Sequence, residues 1–200
     1  MNKGWLKQLA GVIEERHGKD ARDRIFGDID GLPSTSLSDC HEAVSAWFER
    51  FTSGMDELED KEFLTAMMAE YCPCGGGEAG FRRQAKIYRD NYDNSETLEE
   101  FVEMTKFGDR KKLADNVLYL TKYRVSHKNR GECGKGCHCG LARHTDKYIS
   151  DIFCYCCTIG HTGKPFQIAF GDDIKLEFID SVIIGGKGCT MAIHLPEKKK

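Results

Sequence analysis

Apolar residues recur at helical spacing through most of the first hundred positions. Trp5, Leu6, Leu9, Val12 and Ile13 fall on one face ahead of Gly18, the mark of a short amphipathic helix closed by glycine. Over 22–37, Gly27, Gly31, Pro33 and several serines come too often for a long regular element. Ser38 or Asp39 then caps a second helix whose apolar face is Val44, Trp47, Phe48 and Phe51, with Trp47 expected in the core. Leu58, Phe63, Leu64, Met67, Met68 and Tyr71 make a further stripe, stopped by Cys72-Pro73-Cys74 and three glycines. A methionine-rich stripe of this kind is read as core before cofactor pocket. Phe81, Ala85, Tyr88 and Tyr92 mark another helix. Thr97 with Glu100 forms a capping box ahead of Leu98, Phe101, Val102 and Thr105.

The period changes at Asn116. Val117, Tyr119, Thr121, Tyr123 and Val125 alternate with Leu118, Leu120, Lys122 and Arg124, which predicts a strand. Later, Pro165 either opens or kinks a helix that Gly171 closes. Ile174, Leu176, Phe178, Asp180, Val182 and Ile184 again alternate with their neighbours. The turn Gly185-Gly186-Lys187-Gly188 then leads into a return strand over 189–195. The expected fold is therefore α+β: a helical N-terminal half packed on a small antiparallel sheet, with a C-terminal helix and β-hairpin and a cysteine-rich metal site between. Two hundred residues suit a single domain, 1–200, with a helical subdomain over 1–115 and a cysteine-rich, ligand-binding α+β subdomain over 116–200.

Charge narrows the function classes. Basic residues number 29 against 32 acidic, and no basic stripe precedes Lys198-Lys199-Lys200, so nucleic acid is not expected as a partner. Glu14 and Glu15 interrupt the first apolar run, which reads as a helix and not as a signal segment. No apolar run approaches the ~20 residues that cross a bilayer. The expectation is a soluble cytoplasmic protein without a membrane partner.

Candidate chemistry lies in the cysteines. Six of ten fall within 131–161: Cys133, Cys137, Cys139, Cys154, Cys156 and Cys157, beside His138, His144 and His161. Reducing cytosol does not maintain disulfides, so thiols gathered this way point to metal or redox chemistry. Two pairs share one spacing, Cys137-His138-Cys139 and Cys154-Tyr155-Cys156, with an earlier echo at Cys72-Pro73-Cys74. Glycines around them permit the turns that wrap a chain about an ion. Cys137, Cys139, Cys154 and Cys156 are the expected ligands, with Cys72 and Cys74 next and His138 or Cys133 as substitutes. Zinc is the expected ion and an iron–sulfur cluster the alternative. Isolated Cys40 and Cys189 are read as small buried hydrophobes.

From Cys156 to Leu195 the chain resembles the carboxyl-terminal signature of the 4-vinyl reductase-type small-molecule-binding domains. Cys156, Gly160, Gly163, Phe166, Gly171, the strand over 174–184, Gly186, Cys189 and Ile193 occupy its places. The wider run of cysteine pairs, strand and closing hairpin is similar to an uncharacterised prokaryotic family of cysteine-rich proteins related to these domains. More distantly it is similar to the aminothiazoline-carboxylate hydrolase-like family. The resemblance implies a mixed α+β domain with a ligand cavity between helices and an antiparallel sheet, often as a homodimer. Chemistry is not transferred with a fold.

Three functions are weighed on these residues. Four thiolates would close the coordination sphere and leave no place for water, which ranks a zinc-stabilised binder of a small molecule, sensor or carrier, above catalysis. A metal-dependent or thiol hydrolase would need an open position, for example two cysteines with His144 or His161, and Glu132 or Asp146 as base. A redox protein would use adjacent Cys156 and Cys157, or one of the spaced pairs, in thiol exchange.

Overall fold

The computed structural model describes residues 3–33, 42–71, 77–107, 110–123, 137, 142 and 149–198. Among them, six helices precede the first strand: α1 (Lys3–His17), α2 (Lys19–Phe26), α3 (Glu42–Asp56), α4 (Lys61–Glu70), α5 (Gly77–Asn94) and α6 (Leu98–Thr105). Strands β1 (Arg110–Ala114) and β2 (Val117–Tyr123) follow. After the 3-10 turn Asp151–Phe153, a π-helix (Cys156–Gly163) runs into α7 (Lys164–Phe170), and β3 (Leu176–Asp180) and β4 (Gly188–His194) complete the described elements. The fold is α+β, with one antiparallel sheet in the order β1-β2-β4-β3. Among the described residues, no helix is long and apolar enough to cross a membrane.

The helical stripes bury as their spacing predicts. Phe51 of α3 meets Phe26 of α2 edge-on and stacks on Trp47, and Phe153 from the 3-10 turn meets Phe48 edge-on with 4.9 Å between ring centroids. Trp47 lies in this core and donates its indole N–H to the Phe26 carbonyl at 2.8 Å, which keeps the one polar atom of a buried ring bonded. Met67 and Met68 of α4 are core residues as well. The Thr97 cap forms, Glu100 N–H donating to Thr97 Oγ1 at 3.1 Å, while the Glu100 carboxylate reaches one residue past the cap to accept the Glu96 N–H at 2.6 Å, a variation on the expected box.

Three elements correct the expectation. Helix α2 occupies part of the stretch whose glycines suggested turns, because Gly18 and Gly27 bracket the helix without entering it. Strand β1 lies inside the region 1–115 expected to be helical. Its sequence RKKLA carries no apolar alternation because it is an edge strand paired on one side to β2 through the two-residue turn Asp115-Asn116. The alternation over 174–184 also ends early. A bulge between Phe178 and Asp180 shifts the register, and Ser181, Val182 and Ile183 turn inward and are buried.

A second core joins Tyr88, Tyr92, Phe101 and Phe166 to Leu118 and Leu120 of β2 and to Met191 and Ile193 of β4. The π-helix stands between the two cores. Cys154, just ahead of it, and Cys156 on it are buried in the first, while Ile159 packs on the second. Its wide turn is visible in the Thr162 hydroxyl, which donates to the Cys157 carbonyl five residues earlier at 3.0 Å. Gly160 faces the backbone of α4, where any Cβ would meet the Ala69 carbonyl.

Candidate thiol site and adjoining cavity

Strand register builds the site. β2 pairs with β4 so that Leu118 faces Ile193, Leu120 faces Met191 and Lys122 faces Cys189. Side chains on one face of a strand recur every second residue, so the Lys122 ammonium and the Cys189 thiol extend the same inner face that Leu118 and Leu120 bury. Gly188 is what lets β4 begin this close. A Cβ there would lie 2.7 Å from Thr121 Cγ2 and 2.8 Å from the Lys122 carbonyl.

The thiols arrive from separate parts of the chain. Cys137 hydrogen-bonds the Cys189 sulfur, which also receives the Val182 backbone N–H from the turn after β3. Cys154 donates its S–H to the buried Ser181 hydroxyl at 3.1 Å, and Ser181 Oγ in turn accepts the Ile183 N–H at 3.2 Å. Cys157, half-buried, lies near enough to Cys154 to act on it electrostatically. The segment ahead of Cys154 is pinned on its far side: Ser150 donates to Asp56 at 2.5 Å, and Lys61 pairs with Asp151 at 3.0 Å. The hydrogen bond to Asp151 holds the Lys61 ammonium above the usual lysine range.

The two best-defined sulfurs are opposite in character. Burial pushes the Cys154 thiol up to about 12, which outweighs its hydrogen bond to Ser181. Cys189 is lowered from 9.0 to about 7, first by the Cys137 hydrogen bond and then by the Val182 N–H and the Lys122 charge, against the opposing effects of burial and Asp180. The fold therefore favours the Cys189 thiolate. Stability from this ionisation is fully present above pH 9 and is lost as pH falls through about 7. Iodoacetamide labelling of chelator-treated protein, followed residue by residue, is expected to show Cys189 alkylation half-maximal near pH 7, with Cys154 silent until far higher pH. A common midpoint near 9 for both would contradict this electrostatic picture.

Of the residues expected to hold a metal, Cys137, Cys154 and Cys156 are described and buried, whereas Cys139, Cys72 and Cys74 lie outside the described residues, as do Cys133, His138 and His144. Cys156 points into the helical core with no exposure. His161, on the π-helix, sets its ring edge-on to Phe81 with 5.7 Å between centroids. Among the described residues, no group of three or more His, Cys, Asp or Glu is arranged to hold a metal ion. The residue that sequence reasoning missed is Cys189. Its part in the site is set by pairing with β2, and the local signal was only a cysteine opening a strand after a glycine turn.

Beside the sulfurs lies a cavity of about 420 Å³, between α5, the end of α6, β2 and the π-helix. Phe81, Tyr88 and Phe107 supply aromatic walls, with the Tyr88 and Phe107 ring centroids 5.3 Å apart. Lys122 lines it too, so one ammonium borders both the cavity and the thiols. A second hollow of about 690 Å³, edged by Arg89, Asp93, Glu96 and Lys198, mixes both charge signs, and the Lys198 amine there is taken up by the Tyr92 and Ser95 carbonyls.

Neither the curated proteins nor the solved structures contain a match to this chain. Residues 32–200 match the model of a family described as "Family of unknown function (DUF6144)", and over that span the chain belongs to this family.

Proposed function

We propose that this protein binds a small molecule, as a sensor or carrier, and that a zinc ion held by cysteine thiolates fixes the wall of its binding cavity. The observation that carries the reading is the meeting of Cys137 and Cys189 at a point that also borders the cavity through Lys122. The donor set is right in kind, since thiolates are soft ligands that zinc accepts readily, and a thiolate favoured near neutral pH binds without a large proton cost. The described residues supply two sulfurs in contact, so a four-sulfur site would draw the others from Cys154, Cys139, Cys72 or Cys74. Zinc bound this way would supply cross-linking between the loop and the sheet, not activation of water. A binding domain of the 4-vinyl reductase type, dimeric or not, fits this reading.

The experiment is elemental analysis of protein purified without added metal, paired with native thiol counting. About one zinc per chain is expected, reduced sharply in both Cys137→Ser and Cys189→Ser, with the melting temperature falling on chelation. Metal-free protein with full stability and freely titrating thiols would sink the zinc reading. Visible absorbance would replace zinc with iron and sulfur.

The same contact favours a second reading, a redox dithiol. A low-molecular-weight disulfide would accept two electrons, Cys137 and Cys189 would join as a disulfide, and the acceptor would leave as two thiols. The two readings separate on metal content alone.

A further inference from the structure

We propose that the cavity between α5, β2 and the π-helix takes an organic anion with a flat apolar body, anchored through its negative charge on Lys122. This rests on the small-molecule half of the function proposed above, and its test reads ligand binding, not metal content.

Charge is the first argument. The chain as a whole is acidic, 32 against 29, yet Lys106, Lys122 and His161 border this cavity and no Asp or Glu is among its described lining residues. A cleft lined by one sign of charge attracts the opposite sign.

The state of Lys122 is the second. Several lysines elsewhere pair with carboxylates, Lys7 with Asp30, Lys61 with Asp151, Lys86 with Asp90 and Lys175 with Glu177, while Lys198 is held by carbonyls. Lys122 is half-buried and pairs with no carboxylate among the described residues. It donates to the Thr162 hydroxyl at 2.7 Å, a neutral acceptor that uses one of three ammonium donors, and its charge also acts on the Cys189 thiol across the strand pair. Thr162 is itself fixed by its bond to the Cys157 carbonyl, so the ammonium is aimed before any ligand arrives. A partly buried cation with donors to spare favours an anionic partner.

The aromatic walls set the rest of the ligand. Phe81, Tyr88 and Phe107 offer faces and edges that suit a planar apolar body, with Phe166 stacked behind Phe107 at 5.8 Å to hold the wall in place. The volume lies in the lower part of the roughly 300–1,000 Å³ typical of small-molecule sites. A bare inorganic anion would leave these walls unfilled.

The test uses the full chain and the fluorescent anion anilinonaphthalene sulfonate, with neutral phenylnaphthylamine as its uncharged counterpart. The anion is expected to saturate one site, displaced by benzoate and not by inorganic phosphate. Lys122→Met is expected to weaken it roughly tenfold or more, as for loss of a charge-assisted hydrogen bond, while leaving phenylnaphthylamine unchanged. Lys122→Arg restores binding. Phe81→Ala, on the partly open wall, weakens both probes and guards against a folding defect in Lys122→Met, and each variant is compared with the parent by thermal melting. Equal binding of both probes to the parent and to Lys122→Met overturns the anion assignment and leaves the small-molecule reading standing. Phosphate competing as well as benzoate overturns the organic body. Binding of neither probe overturns both readings together.

Discussion

Phe153→Ala is expected to lower stability by about 3–5 kcal/mol, the range for truncating a buried aromatic. Phe153 is almost wholly buried, and its ring meets both Phe48 and Phe51 edge-on, at 4.9 and 6.2 Å between centroids. Alanine would leave a cavity that helix α3, fixed by Trp47 and its bond to the Phe26 carbonyl, cannot collapse to fill. For a chain of this length the fall in melting temperature is roughly 6–20 °C. The residue also stands immediately before Cys154, so loss of its anchor should loosen the Cys154 to Ser181 hydrogen bond. Native thiol counting of the folded variant should then find one more reactive cysteine. A melting temperature within a degree or two of the parent would show that the aromatic cluster does not carry this junction.

Gly160→Val is the second large effect. The π-helix approaches α4 so closely that a Cβ at Gly160 would strike the Ala69 carbonyl, a backbone atom that cannot rotate away. Overpacking of this kind costs about 1–3 kcal/mol, and a branched side chain against main chain belongs at the upper end. The strain has two outlets, separation of the π-helix from α4 or rewinding of its wide turn. Either moves Thr162 and with it the seat of Lys122. The measurement is a thermal melt together with probe binding at the cavity. Gly160→Ala gives a smaller loss of both, and an unperturbed melt for the valine variant would mean that α4 yields without cost.

The helices that could be read from the sequence share a property: their apolar stripes pack against other elements of the same region. Val44, Trp47, Phe48 and Phe51, and likewise Phe101 and Val102 behind the Thr97 cap, announce their faces by spacing alone. β2 was legible because it is central and one face is buried. β1 was not, since an edge strand shielded by lysines shows no alternation. The π-helix was invisible because eight residues with two glycines and two threonines hold too few apolar positions to betray a period wider than the α-helix. For the thiols, the density of cysteines singled out a stretch of which Cys137, Cys154, Cys156 and Cys157 are described. Which sulfurs meet depends on the β2 to β4 register and on the turn of Ser181 and Val182, neither of which is encoded locally.

The placement of β4 between β2 and β3 also governs the order in which the molecule can assemble. β1 and β2 adjoin in sequence and can zip together early, but β2 then waits for a partner that follows every other described element in the chain. Closing so long a loop is entropically costly and slow, so the central seam is expected to form late, after helical collapse. Until then β2 exposes an unpaired edge, and Cys189 reaches Cys137 only when that seam closes.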